Sequence, residues 1–124
     1  MPVTFENQNN IGVFTTIGDV DFDSGIKVLE EGLLQIKSVE PPYKILFDLR
    51  ESTENRTKED MQGLADFVQA IIGPCAIALV AKDDLLKGMS RMFASYCELR
   101  GMQCQVFSMF DESYAWLNNF RTDN

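Results

Sequence analysis

The sequence contains no histidine, the side chain that most often serves as a general base near neutral pH. Its absence excludes Ser-His and Cys-His nucleophile pairs and leaves zinc without its commonest ligand. Long apolar stretches are also lacking: the longest unbroken one, residues 75–81, falls far short of the roughly 20 residues of a membrane-spanning helix. Residues 1–6 carry no basic segment and no apolar core, so we expect no signal peptide.

Basic residues are scarce. Eleven Lys and Arg stand against 19 Asp and Glu, which gives a net charge of −8. The densest basic stretch contains Arg50, Arg56 and Lys58, and acidic residues interrupt it throughout. A nucleic-acid surface needs a basic stripe, so nucleic acid and anionic membrane are disfavoured partners. The acidity is typical of a small soluble domain.

The three cysteines, Cys75, Cys97 and Cys104, are odd in number and form no CxxC pair. Without histidine, the fourth ligand of a zinc site would have to be a carboxylate, so no metal and no cofactor is indicated. All three cysteines fall in apolar segments. We therefore predict buried, reduced thiols that pack as small hydrophobes, with a redox or nucleophilic cysteine as the alternative. Reduced thiols favour a cytoplasmic location.

The length of 124 residues and the 45% apolar content predict one globular domain spanning residues 1–124. Apolar periodicity predicts the element order β-β-α-β-α-β-α-β-α. Polar residues 7–10 form a predicted hairpin turn between strands at 3–6 and 11–17. The later predicted strands are residues 44–49, 75–81 and 103–109. Strands that alternate with helices favour a mostly parallel sheet with right-handed crossovers.

Each predicted helix follows a residue whose side-chain oxygen can accept hydrogen bonds from free backbone N–H groups. These capping residues are Asp21 or Asp23, then Thr57 in a capping box with Asp60, then the 82–84 loop, and finally Asp111. A polar loop is predicted from Arg50 to Arg56, between the third strand and the second helix.

Several stretches of the sequence resemble one known family. They are IGDVD at 17–21, KILFDLR at 44–50, AIALVAKD at 76–83, and the ending VFS, DE and AWL at 106–108, 111–112 and 115–117. With them the chain resembles the SpoIIAA-like family, the STAS and Sec14-related small domains. The resemblance implies an α/β fold: a four- to five-stranded, mostly parallel sheet with an N-terminal antiparallel hairpin and four helices, wound as a right-handed βα superhelix.

The resemblance also implies a candidate switch. Better-known relatives are anti-sigma factor antagonists, regulated by phosphorylation of a serine that follows a central strand. The corresponding region here offers Ser52, Thr53 and Thr57 as candidate phosphorylation sites. The relatives' Asp-Ser-Ser-Gly signature is absent, since Ser52 follows Glu51 and no glycine precedes the helix. The alternative is that these three residues only form a turn and a helix cap.

A second candidate site lies at the ends of the predicted strands. It consists of Asp48, Arg50, Lys82, Asp83 and Ser108. Open α/β sheets usually place ligands at the carboxyl ends of their strands, so this cluster is a candidate edge for a small polar ligand, a phosphate or a partner. The alternative is that Arg50 and Lys82 pair locally with acids while Asp83 or Asp84 caps a helix.

Methionine and aromatic residues crowd the last third of the chain. They are Met89, Met92, Phe93, Met102, Phe107, Met109, Phe110, Tyr114, Trp116 and Phe120. Such residues build cores, and they also line lipid pockets and partner grooves. If all the helices lie on one side of the sheet, the apolar residues of the other face require a dimer partner, a ligand or a loop.

Two functions remain. The first is a non-enzymatic regulatory or protein-interaction module of STAS-like type, which binds a protein partner or itself as a homodimer through the sheet edge and the second helix. The second is a small carrier or binder of an apolar ligand, of the lipid type implied by the Sec14-related side of the resemblance. A chain of this length leaves little room for an enclosed cavity. No catalytic constellation is visible, so no enzyme is predicted.

Overall fold

The computed structural model describes residues 3–121. Met1 and Pro2 lie outside these residues. They belong to the segment 1–6, in which we expect no signal peptide. The predicted element order is confirmed. The elements are β1 (Val3–Gln8), β2 (Ile11–Gly18), α1 (Phe22–Lys37), β3 (Lys44–Ser52), α2 (Lys58–Ile72), β4 (Ala76–Val80), α3 (Asp84–Leu99), β5 (Gln103–Phe107) and α4 (Phe110–Asn118). No helix within 3–121 is long and apolar enough to cross a membrane.

All five strands form one sheet in the order β1-β2-β3-β4-β5. β1 pairs with β2 antiparallel, and every later pair is parallel, so the predicted sheet and its N-terminal hairpin are confirmed. The hairpin turns on Asn9 and Asn10, which both adopt positive φ. Positive φ at both positions is typical of the two-residue turns whose twist matches paired strands, and asparagine tolerates it well.

The helices divide unequally between the two faces of the sheet. α1, α2 and α3 pack their buried residues on one face, as right-handed crossovers between sequential strands require. α4 lies on the opposite face, where Leu117 is fully buried. Its cluster contains Ile11, Val13, Leu46, Ala76, Ala78 and Val80. The helices therefore do not all lie on one side, and α4 covers part of the second face. β4 is buried on both sides, as its apolar sequence predicts.

Three of the four predicted caps are present. Asp21 accepts a hydrogen bond from the Ser24 N–H (3.2 Å), Thr57 and Asp60 form the capping box, and Asp83 accepts from the Leu86 N–H (2.8 Å). The prediction for Asp111 is wrong. α4 begins at Phe110, two residues earlier than a helix capped by Asp111 would begin, and its N-cap residue Met109 makes no side-chain cap. Asp111 lies in the first turn, where its charge still favours the positive end of the helix.

β3 is longer than predicted. The predicted loop from Arg50 to Arg56 is wrong in its first three residues, because Arg50, Glu51 and Ser52 continue the strand. β2 also extends to Gly18, and Gly18 pairs with Ser52 after a bulge whose extra residue lies in β3. Sequence patterns do not reveal this part of β3, because Arg50, Glu51 and Ser52 are polar and pair with β2 beyond the apolar core.

Two glycines allow α1 to lie close against β2. A Cβ at Gly32 would come within 2.5 Å of the Phe14 ring and 2.7 Å of the Phe5 ring. A Cβ at Gly12 would collide with the side chain of Ile36. Gly63, on the exposed side of α2, has no atom within 4 Å of the corresponding position.

We predict that Gly32→Ala lowers the free energy of unfolding by about 1–3 kcal/mol, because the added methyl group overpacks the Phe5–Phe14 contact. Gly63→Ala is the matched control. It should raise the free energy by about 0.5–1 kcal/mol, because alanine costs less backbone entropy in a helix. Urea unfolding of both variants measures the difference. Equal stability of the two variants would contradict the close packing of α1.

Candidate functional site

The strands β2 to β5 end at one edge of the sheet, here called the carboxyl edge together with the loops that follow those strands. All five predicted edge residues lie there: Asp48, Arg50, Lys82, Asp83 and Ser108. The ends of β4 and β5 meet, since the Ala81 N–H donates to the Phe107 carbonyl (3.0 Å). Lys82 and Ser108 are exposed, and Asp83 caps α3.

Asp48 and Arg50 form a paired unit at this edge. Asp48 is buried, and its carboxylate accepts from both Nε (2.9 Å) and Nη2 (2.8 Å) of Arg50. The Arg50 backbone N–H donates to the same carboxylate (3.2 Å). The guanidinium also lies 4.9 Å from the centre of the Phe110 ring. Arg50 therefore pairs with a local acid. Local pairing was the alternative to a role of Arg50 in binding a ligand or partner.

The pair is electrostatically stable at neutral pH. Burial acts to raise the pKa of Asp48, but hydrogen bonds from Arg50 and the positive charges of Arg50 and Lys82 outweigh it. The pKa of Asp48 therefore lies below its ordinary value. An ionised Asp48 holds Arg50 in place, whereas Lys82 is an exposed cation that forms no salt bridge within residues 3–121.

The three candidate switch residues differ in their surroundings. Ser52 is buried: its hydroxyl accepts from the Glu54 N–H (3.1 Å) and donates to the Glu54 carboxylate (3.2 Å). Thr53 is exposed, and its backbone N–H donates to the Gly18 carbonyl (3.0 Å). Thr57 is exposed as well, but its hydroxyl accepts from the Asp60 N–H (3.1 Å) as the helix cap. The structure thus presents Thr53 most openly.

Arg56 joins three segments that are distant in the sequence. Its guanidinium pairs with Glu54, donates to the Val20 carbonyl (2.6 Å) and lies 5.3 Å from the centre of the Phe22 ring. Its backbone N–H donates to the Met89 sulfur (3.3 Å). Sequence reasoning placed Arg56 in a polar loop and missed this role. Most partners of Arg56 are far from it in the sequence, so no local pattern predicts this role and only the folded structure reveals it.

An apolar cavity of about 120 Å³ lies between the sheet and helices α1, α2 and α3, near the carboxyl edge. Three aromatic rings, Phe14, Phe47 and Phe93, contribute to its wall, and the paired Glu54 and Arg56 supply the charged lining. The length of the chain predicted little room for a cavity. The observed cavity is small, but it is present.

Exposed apolar side chains form a feature that sequence reasoning identified only in part, since it considered Met92 and Met109 for a partner surface but not Leu85 or Leu99. Leu85 is 64% exposed and Met109 is 58% exposed, and both lie at the carboxyl edge. Met92 and Leu99 are exposed too, and with Leu85 they form a stripe along α3. The signal in the sequence is their spacing of seven residues, which returns to the same side of a helix.

The other methionine and aromatic residues of the last third are mostly packed. Phe93 and Met102 belong to the core beneath α3. A second group packs around Leu117 on the α4 face; it consists of Phe107, Phe110, Tyr114, Trp116 and Phe120. Most methionine and aromatic residues of the last third therefore belong to the core. Met92 and Met109 are the exposed exceptions.

The cysteines are free and buried, as predicted. Burial raises the pKa of the Cys75 thiol to about 12, and hydrogen bonding to Cys97 together with burial raises the pKa of Cys104. Raised pKa values disfavour the thiolate, which is the reactive form. In the described part of the chain, no group of three or more His, Cys, Asp or Glu side chains is arranged to hold a metal ion.

Comparison with known proteins shows the fold. No protein-family model matches the chain, and no curated protein sequence matches it. Two solved structures are similar over most of both chains. One is a protein of the DUF3478 family with a SpoIIAA-like fold from Shewanella loihica PV-4, with 15% identity, a TM-score of 0.60, and coverage of 93% of this chain and 91% of that one.

The second is an anti-sigma factor antagonist from Mycobacterium paratuberculosis, with 13% identity and a TM-score of 0.63. The match covers 94% of this chain and 93% of that one. The chain therefore has the SpoIIAA-like α/β fold that the sequence resemblance implies. At these identities the likeness concerns the fold alone.

The pairing of Asp48 with Arg50 predicts a pH-dependent stability. Because folding lowers the pKa of Asp48, its contribution is present above the ordinary pKa of about 4 and is lost as the pH falls through the lower folded value. We expect Asp48→Asn to cost about 1 kcal/mol at pH 7, since the 37% exposure of the Arg50 side chain weakens the pair. The cost should shrink below about pH 4.

Urea unfolding between pH 7 and pH 2.5 measures this cost. Asp66→Asn is the matched control, because Asp66 pairs with Arg100 but is 64% exposed. It should cost less than about 0.5 kcal/mol at any pH. A cost for Asp48→Asn that does not change with pH would contradict the ionised pair.

Proposed function

We propose that the chain, as a single cytoplasmic domain of residues 1–124, is a non-enzymatic regulatory module that binds a protein partner at its carboxyl edge. One observation carries the proposal: Leu85 and Met109 expose most of their apolar surface at the edge where Lys82 and Ser108 are also exposed. Apolar patches rimmed by polar residues mark interaction sites.

The similar structures support a regulatory role. One of them is an anti-sigma factor antagonist. The chemistry of this chain agrees with a binding role. There is no histidine, the Asp48 carboxylate is occupied by Arg50, and the buried thiols of Cys75 and Cys104 have raised pKa values.

The edge favours a partner that presents apolar and acidic side chains. Leu85 and Met109 supply the apolar contact, while Lys82 supplies positive charge on an otherwise acidic chain. A two-fold homodimer joined by this edge would bring Lys82 of both copies to the same interface, so we favour a different protein over the homodimer. The large apolar residues exposed within 3–121 do not include any of α2, so we assign docking to the start of α3 rather than to the second helix.

We predict that Leu85→Asp abolishes partner binding, because it places a charge in the apolar centre of the docking surface. Leu34→Asp is the matched control: Leu34 is also exposed, but it lies near the far end of α1. Native mass spectrometry of protein isolated from its own host after crosslinking measures the complexes. Loss of the complex in both variants, or a wild-type chain that binds neither a partner nor itself, would contradict the proposal.

We further propose that phosphorylation switches this docking, with Thr53 as the first candidate among Ser52, Thr53 and Thr57. Thr53 is exposed in the loop that leaves β3 at the carboxyl edge. A phosphate on Ser52 would lie against the Glu54 carboxylate, and one on Thr57 would replace the capping box. A phosphate at Thr53 would repel an acidic partner without breaking either arrangement.

We predict that Thr53→Glu weakens partner binding roughly tenfold through like-charge repulsion, whereas the similarly shaped but uncharged Thr53→Val leaves it unchanged. Binding is measured by titrating the partner isolated with the wild-type chain. Intact mass and peptide mapping of protein from its own host test for the phosphate itself. Equal affinities of the two variants, or a phosphate found elsewhere in the chain, would count against Thr53.

A second candidate function, the binding of an apolar ligand, is favoured by the cavity beneath α1, α2 and α3. Its volume of about 120 Å³ is well below the roughly 300–1,000 Å³ of pockets for drug-sized ligands. A lipid with two acyl chains would need the helices to move apart. The cavity therefore supports a much smaller ligand than the lipid type that the resemblance implies.

A further inference from the structure

Ser90, one of the residues that line the cavity, has an unusual hydroxyl group. Ser90 lies in α3, is only 2% exposed, and lines the cavity. Its Oγ is the one buried side-chain nitrogen or oxygen atom of residues 3–121 that has no hydrogen-bond partner. A buried polar group without a partner costs about 1–3 kcal/mol, so such groups call for an explanation.

The rest of the wall is suited to an aromatic ring. The Phe14 and Phe47 rings stack with centroids 5.4 Å apart, and Phe47 meets Phe93 edge to face at 6.0 Å. Aromatic rings prefer such offset and edge-to-face neighbours. The cavity volume of about 120 Å³ is close to the roughly 150 Å³ of an apolar cavity that binds benzene, so it limits a ligand to one ring.

The charges near the cavity favour a neutral ligand. Glu54 and Arg56 pair with each other, and both side chains are largely buried. Arg56 is further engaged by the Val20 carbonyl and the Phe22 ring, so no uncompensated cation is available for an anionic ligand. An ionised ligand would lose its hydration without gaining a partner charge.

We infer that the cavity binds a small, neutral, single-ring aromatic molecule with one hydroxyl group, which exchanges a hydrogen bond with Ser90 Oγ. The wall supplies apolar contact for the ring, and Ser90 supplies the one polar contact. This inference rests on the second candidate function and is independent of partner docking at the carboxyl edge.

Phenol and toluene are the probes, because they share ring size and differ in the hydroxyl group. We expect both to bind the wild-type protein and to shift NMR signals of cavity residues such as Leu79 and Val68. Ser90→Ala should lower the preference for phenol over toluene roughly fivefold, the effect of one lost hydrogen bond. Since Ser90 Oγ has no protein partner, this substitution breaks no hydrogen bond of the fold.

Ser95→Ala is the matched control. Ser95 lies in the same helix and is exposed, and its hydroxyl donates to the Arg91 carbonyl (3.0 Å). This variant should keep the wild-type preference. If neither probe binds the wild-type cavity, both the second candidate function and the inference fail. If both probes bind but Ser90→Ala leaves the preference unchanged, the hydroxylated ligand class alone is overturned.

Discussion

The sequential order of the parallel strands is the constraint on which this structure depends. Because β2, β3, β4 and β5 lie side by side in chain order, right-handed crossovers place α1, α2 and α3 on the same face. The opposite face of the central strands is equally apolar, so the chain must cover it with its last element. α4 does so through Leu117, which is why β4 is buried on both sides.

The same constraint brings the chemically interesting residues together. Parallel strands all end at one edge, so the loops after β2, β3, β4 and β5 converge there. Arg56 ties the loops after β2 and β3 to α1 and α3 by contacting Glu54, Val20, Phe22 and Met89. The candidate switch residues, Leu85, Met109 and the cavity consequently lie at or near the same edge, although they come from different parts of the sequence.

The fold is shared with other proteins, but the side chains at the carboxyl edge are particular to this chain. Two solved structures share the fold over more than nine-tenths of this chain at 13–15% identity, which leaves the side chains at the edge free to differ. Here the switch region lacks the serine signature of the better-known relatives, and Ser52 is turned inward onto Glu54. The function proposed for this chain therefore depends on its own exposed and unpartnered side chains rather than on those of its neighbours.

Local sequence patterns were sufficient to predict the order of the elements, the hairpin, the buried central strand, three helix caps and the family resemblance. Those features follow from local periodicity and from capping chemistry within a few residues. The sequence also indicated which residues meet at the carboxyl edge, because strand ends in a parallel sheet coincide. The predicted start of α4 and the predicted end of β3 were wrong. Neither an uncapped helix start nor a polar strand end has a local signal in the sequence.

Four features become visible only in the folded chain. They are the strand order, the side of the sheet that α4 covers, the role of Arg56 and the unpartnered Ser90 Oγ. Each of these depends on contacts between residues that are far apart in the chain. Such contacts are determined by side-chain packing and by hydrogen-bond pairing in the folded core. A short segment of the sequence contains no information about either.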